Sequence, residues 1–192
     1  MVEILDRQQA PARHRLDVGA YYKMVEAGIL TKDDRVELIG GEIFDMTPIG
    51  SAHAGKTNRL NRLFARAAAD GIALVSVQSP LRLDAYNEPE PDVMLLRPRE
   101  DDYQDRHPSA ADVLLLVELS ESSLAYDRGT KLALYAKFGV PEVWIVDLRG
   151  AAVEVYRAPA GDAYAFQERL TSGFLAPALV PGVMLDVGAL VA

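Results

Sequence analysis

Residues 113–117, VLLLV, form an unbroken apolar run that ends in Glu118. A strand without polar alternation is covered on both faces, so it belongs in the centre of a sheet. The segments around it supply the covers. Residues 17–27 read as a short helix, with Asp17 as N-cap and Gly28 as stop. Residues 35–45, RVELIGGEIFD, read as a hairpin, because two glycines between apolar runs suit a two-residue turn. That turn pairs Ile39 with Glu42 and Glu37 with Phe44, which puts Glu37 and Glu42 on one face. Residues 51–70 form the clearest helix, with Leu60, Leu63, Phe64 and Ala67 inside about 100° of arc. Strands follow at 73–78, 81–84 and 92–96, then a polar loop over 97–112. Residues 127–138 read as a helix ended by Gly139 and Pro141. Residues 143–146 and 153–156 read as the strands of a second hairpin. This order predicts an α/β fold, a mixed central sheet flanked by helices.

The chain has 192 residues, one domain at roughly 150 residues per domain. Residues 1–16 read as a lead-in and 17–192 as the single domain. The composition, 49% hydrophobic and 25% charged, is that of a globular protein. There is no cysteine, which excludes a disulfide framework, a thiolate zinc site and a cysteine nucleophile. The first residues carry charges throughout and hold no apolar secretory core. The apolar tail after Thr171 is broken by prolines and glycines, so it reads as strands and turns packed on the domain and not as a membrane span. The expectation is a cytoplasmic protein. A net charge of −8 argues against loose, whole-surface affinity for nucleic acid. It suits a carboxylate site that attracts divalent cations.

Pro91–Asp92 opens one strand and Glu118 closes the most buried one. Carboxylates at two neighbouring strand ends can hold Mg²⁺, which takes oxygen ligands and keeps several waters. A strand cap and a solvated strand end would use the same two residues. Lys131 shifts the balance. Leu134 and Phe138 lie on one side of it along the helix, Leu132 and Tyr135 on the other, so it projects from the middle of the apolar face. An inward ammonium needs a partner, and Glu118 stands thirteen residues earlier. Lys56, Arg59, Arg62 and Arg66 fall within about 120° of arc beside the apolar stripe of their helix. They could seat a phosphate backbone, or simply be solvated.

Several segments resemble the Uma2 family (DUF820), a branch of the PD-(D/E)xK nuclease superfamily. They are ELIGGEIFDMTP (37–48), His53, EPDVMLL (90–96) and VELSESSLAYDRGTKLALYAKFGVPEVWIVD (117–147). The resemblance implies a restriction-endonuclease-like fold, magnesium dependence, with manganese as a substitute, and phosphodiester hydrolysis. It implies that Asp92 is the metal-binding aspartate and Glu118 the acidic residue of (D/E)xK. Ser120 stands where that motif has lysine, so the lysine's role moves to Lys131. Glu37 becomes a third carboxylate near the metal. His53 joins Lys56, Arg59, Arg62 and Arg66 as the nucleic-acid contact, with DNA as the expected partner.

On this reading Asp92, Glu118 and the Leu119 carbonyl hold the ion. Lys131 orients the attacking water or stabilises charge in the transition state. Replacing Lys131 by methionine keeps the stem, so the fold is expected to survive. Two rival readings use the same chain: a non-catalytic, dimeric binding protein that retains the fold, and a metal-dependent phosphoesterase for small substrates.

Overall fold

In the computed structural model, which describes residues 12–31 and 33–192, the first helix is α1 (Val18–Glu26). Its N-cap Asp17 accepts a 2.7 Å hydrogen bond from Ala20 N. The hairpin follows as β1 (Val36–Ile39) and β2 (Glu42–Asp45), in the register expected from its two glycines: Ile39 opposite Glu42, Glu37 opposite Phe44. Gly40 and Gly41 both have positive φ, +62° and +80°, the pair a tight hairpin turn demands. The lead-in is strapped over this turn. Leu16 N donates to Gly41 O and Arg15 Nε to Gly40 O. The first eleven residues of the expected lead-in lie outside the described residues.

A Cβ on Gly41 would meet Arg15 Cβ at 2.7 Å and the Leu16 carbonyl at 3.1 Å. Gly41→Ala is therefore expected to lower stability by about 1–3 kcal/mol, read from urea unfolding. An unchanged midpoint would show that the strap does not hold the turn.

Next come α2 (Ser51–Ala69) and a six-stranded mixed sheet. Its strands are β3 (Leu74–Val77), β4 (Val93–Leu96), β5 (Val113–Ser120), β6 (Glu142–Asp147), β7 (Ala152–Ala160) and β8 (Ala163–Leu170), ordered 3-4-5-6-7-8. Only β5 and β6 run parallel; every other neighbouring pair is antiparallel. All eight residues of β5 are buried, as its apolar run requires. Glu118 lies inside that strand, which runs on to Ser120, and does not close it.

Helices cover both faces. Leu60, Phe64 and Ala67 of α2 pack with Val93, Leu115, Val117 and Trp144 on one side. The same cluster takes in Leu185, Val187 and Leu190 from the tail, which ends in β9 (Phe174–Leu175), β10 (Leu185–Asp186) and α5 (Val187–Val191). Tyr135, Val140, Met94, Leu116 and Ile145 fill the other side. No helix among the described residues is long and apolar enough to cross a membrane.

Two further expectations are corrected. Residues 81–84 add no strand to the sheet. Their backbone bonds locally, Leu81 N to Pro89 O and Leu83 N to Asn87 O, around a turn that the Asp84 carboxylate closes onto Tyr86 N and Asn87 Nδ2. The helix expected at 127–138 starts earlier and changes pitch. It runs as α3 (Leu124–Tyr126), a π turn (Asp127–Lys131) and α4 (Leu132–Lys137). Leu132 N donates to Asp127 O, five residues back, which marks the π pitch.

Candidate active site

The ladder builds the first half of the site. Val93 pairs with Val117, so Asp92, one residue before β4, falls alongside Glu118. Asp92 is held on both oxygens: Oδ2 accepts from Leu119 N at 2.8 Å, and Oδ1 lies 3.1 Å from His53 Nε2. His53 reaches it from the first turn of α2. The hydrogen bond to Asp92 raises the His53 pKa, against the opposing effect of burial.

The π turn supplies the second half. Lys131 is buried (4% exposed), and its amine lies 2.9 Å from Glu118 Oε1 and 3.2 Å from Glu37 Oε2. Glu37 arrives on β1, and its Oε2 also accepts from Glu90 N. Tyr135, four residues beyond Lys131 and fully buried, donates to Glu118 Oε1 at 2.6 Å. Burial alone would lower the Lys131 pKa, but Glu118, Glu37 and Asp127 outweigh it and hold the amine well above its ordinary value. Burial pushes Glu118 up to about 8, Lys131 opposes this, and Asp127 and Asp92 add to it. One ammonium thus serves two buried carboxylates.

These groups line a cleft of about 680 Å³, part of it open to solvent. Glu37, Asp45, Glu90, Asp92, Glu118, Glu121 and Asp127 line it against Arg35, Lys131 and His53. Burial and neighbouring Glu37 and Asp92 push Glu90 up too, with Arg35 and Lys131 opposing. Such an excess of crowded carboxylates favours a cation. Among the described residues no three His, Asp or Glu side chains are set to close around a metal. A magnesium-type ion held by two carboxylates and water needs no such cage. Among the described residues, the hydrogen bonds to the Glu118 side chain all fall on Oε1. The donor set therefore fits a hard cation.

The expected residues divide. Asp92, Glu118, Lys131, Glu37 and His53 meet in the cleft. Lys56, Arg59, Arg62 and Arg66 do not line it. Lys56 donates to the Ala192 carbonyl, Arg59 is half-buried, and Arg62 and Arg66 are exposed, with Arg66 3.9 Å from Asp70. Glu42 stays at the surface, paired with Arg13 at 2.8 Å. Several groups were not singled out for chemistry in the sequence, among them Asp127 and Tyr126 in the cleft and Tyr135 buried behind it. Asp127 is buried and accepts from Ser120 Oγ and Ser123 Oγ, both at 2.6 Å. Tyr135 reads as core, although its i+4 spacing from Lys131 signals a shared face. Tyr126, five residues before Lys131, has no such helical signal.

The family model described as "Uma2: Putative restriction endonuclease" matches residues 19–188. Among solved structures the chain is similar to the crystal structure of "a putative nuclease belonging to DUF820" from Anabaena variabilis. The two share 15% sequence identity with a TM-score of 0.71, over 92% of this chain and 97% of that one. At that identity the likeness speaks for the fold. No curated protein matches the chain.

Proposed function

The chain belongs to the Uma2 family, and on that premise we propose that it is a metal-dependent endonuclease that hydrolyses phosphodiester bonds, with DNA as substrate. The observation that supports this most is the Lys131 amine, buried between Glu118 and Glu37 beside Asp92 in an acidic cleft. Asp92 and Glu118 would hold Mg²⁺ or Mn²⁺. Such an ion polarises a scissile phosphate and lowers the pKa of bound water. Lys131 faces the same cleft as a fixed positive charge, suited to orienting the attacking water or to countering charge on the phosphorus oxygens. Glu37 and Glu118 hold that charge in place, Tyr135 fixes Glu118, and His53 with Leu119 N fixes Asp92. The direct test is cleavage of plasmid, single-stranded DNA and RNA with Mg²⁺ or Mn²⁺ and with chelator. No metal-dependent cleavage of any of the three would end the nuclease reading. It would leave the two rivals, the non-catalytic dimeric protein and the phosphoesterase for small substrates.

The basic side chains of α2 act in this proposal as an extension of the cleft. His53 sits at the cleft and Arg62 nine residues further along the helix, about 14 Å at 1.5 Å per residue. Nine residues also turn about 180° around the axis, so Arg62 faces away from His53 and a duplex seated at the cleft would reach it only around the flank of α2. Charge reversal at Arg59 and Arg62 is expected to weaken DNA binding without unfolding, because neither lies on the buried stripe of α2. The slope of log affinity against log salt should become shallower by about 2. Unchanged affinity and slope would mean that this face is only solvated.

A further inference from the structure

Tyr126 carries the one buried side-chain polar atom that has no hydrogen-bond partner among the described residues, its hydroxyl oxygen. A buried unsatisfied hydroxyl is costly and calls for an explanation. This one belongs to a side chain that lines the cleft with Glu37, Asp127 and Lys131. Its ring is seated against Phe44, centroids 5.7 Å apart, so the ring is packed while its polar end has no protein partner. Glu37 is close enough to act on the phenol, but its Oε2 is bonded to Lys131 and Glu90 N, and the Tyr126 hydroxyl makes no hydrogen bond of normal geometry to it. Burial first, and then the charge of Glu37, push the Tyr126 pKa up, so the group remains a donor across the neutral range.

The pitch of the helix explains why two such residues meet. In an α-helix, residues five apart are about 140° apart around the axis. The π turn at Asp127–Lys131 bonds residue i to i+5 and brings Tyr126 and Lys131 towards one side. Single π turns inside α-helices occur frequently at functional sites.

We propose that Tyr126 is a catalytic residue of this site: its hydroxyl donates a hydrogen bond to a non-bridging oxygen of the scissile phosphate, next to the oxygen countered by Lys131. The proposal rests on the nuclease reading and deepens it. The unpaired hydroxyl of the free protein is then a donor held ready for the charge that develops on the phosphate.

The test is Tyr126→Phe, which keeps the ring and removes only the hydroxyl. The variant should retain the melting temperature of the free protein or exceed it, because an unpaired polar group has left a buried position. Its Mn²⁺ binding should be unchanged. Its kcat should fall by about 10²-fold with KM within about twofold, the mark of a contact made mainly in the transition state. Two results overturn the proposal alone: wild-type kcat in Tyr126→Phe while Lys131→Met is impaired, or a melting temperature several degrees lower, which would reveal a structural partner for the hydroxyl. Absence of cleavage by the wild-type protein overturns the nuclease reading and this role with it.

Discussion

Lys131→Met is expected to cut the cleavage rate by about 10²–10³, the usual loss when one positioned electrostatic stabiliser is removed. It is also expected to lower stability at pH 8 by roughly 3–5 kcal/mol, the cost of breaking a buried ion pair from one side. The second half of this result departs from the sequence argument, which had one acid partner in view and expected the fold to survive untroubled. The structure gives Lys131 two buried partners, Glu37 and Glu118. Without the ammonium both carboxylates lose their counter-charge. The deficit should depend on pH. Burial already pushes Glu118 up to about 8 in the fold against 4.5 for the free group, and Lys131 keeps it from going higher. A carboxylate raised in the fold contributes stability that is complete below its unfolded pKa and is lost as pH rises through the folded one. The variant should therefore approach wild-type stability near pH 5 and fall progressively further behind as pH rises through 8 and above. Urea unfolding at the two pH values checks this. An equal deficit at both would show that the loss is packing and not charge. A wild-type cleavage rate would remove Lys131 from the mechanism.

The second large effect is expected at Asp92. Asp92→Asn keeps an acceptor for Leu119 N but turns an amide toward His53 in place of a charge. Changes to groups that merely orient a metal ligand cost about 10–100-fold in affinity, so loss of the ligand charge should cost at least the upper end of that range. Titration of Mn²⁺ by calorimetry measures it. The His53 pKa should fall in the same variant, because the Asp92 hydrogen bond is the leading cause of its rise. Mn²⁺ affinity equal to wild type would place the ion elsewhere.

What could be read in advance follows the range of the forces involved. The VLLLV run, the Gly40–Gly41 turn and the inward Lys131 are local patterns, and their consequences are local: a central strand, a fixed hairpin register, a buried amine. The strand β8, AYAFQERL, was missed because it is an edge strand whose side chains are mostly exposed, so it has no apolar alternation to show. Residues 81–84 have the alternation of a strand, yet they lie against 87–89 and bond there. The π turn inserts no unusual residue, and a period of 3.6 cannot reveal it. The meeting of His53 with Asp92, and of Glu37 with Lys131, joins positions 39 and 94 residues apart, and only the ladder and the hairpin docking create those contacts.

The hairpin has a consequence for the unity of the site. Asp92 and Glu118 belong to the six-stranded sheet, but Glu37 stands on a separate two-stranded one. That small sheet is tied to the rest by the Leu38–Glu88 bridge, by Gly41 N to Tyr86 O and Gly40 N to Asn87 Oδ1, by Glu90 N and Lys131 to Glu37, and by the strap at Arg15 and Leu16. Cooperative units with fewer ties open at lower free energy than the core. The cluster around Lys131 is therefore expected to straddle two units of unequal stability. Slow exchange of the β5 amides and faster exchange of the β1–β2 amides would be its signature. Local opening would withdraw Glu37 from the lysine while Glu118 keeps its place, so the charge state of the cluster is coupled to a fluctuation that leaves the main sheet intact.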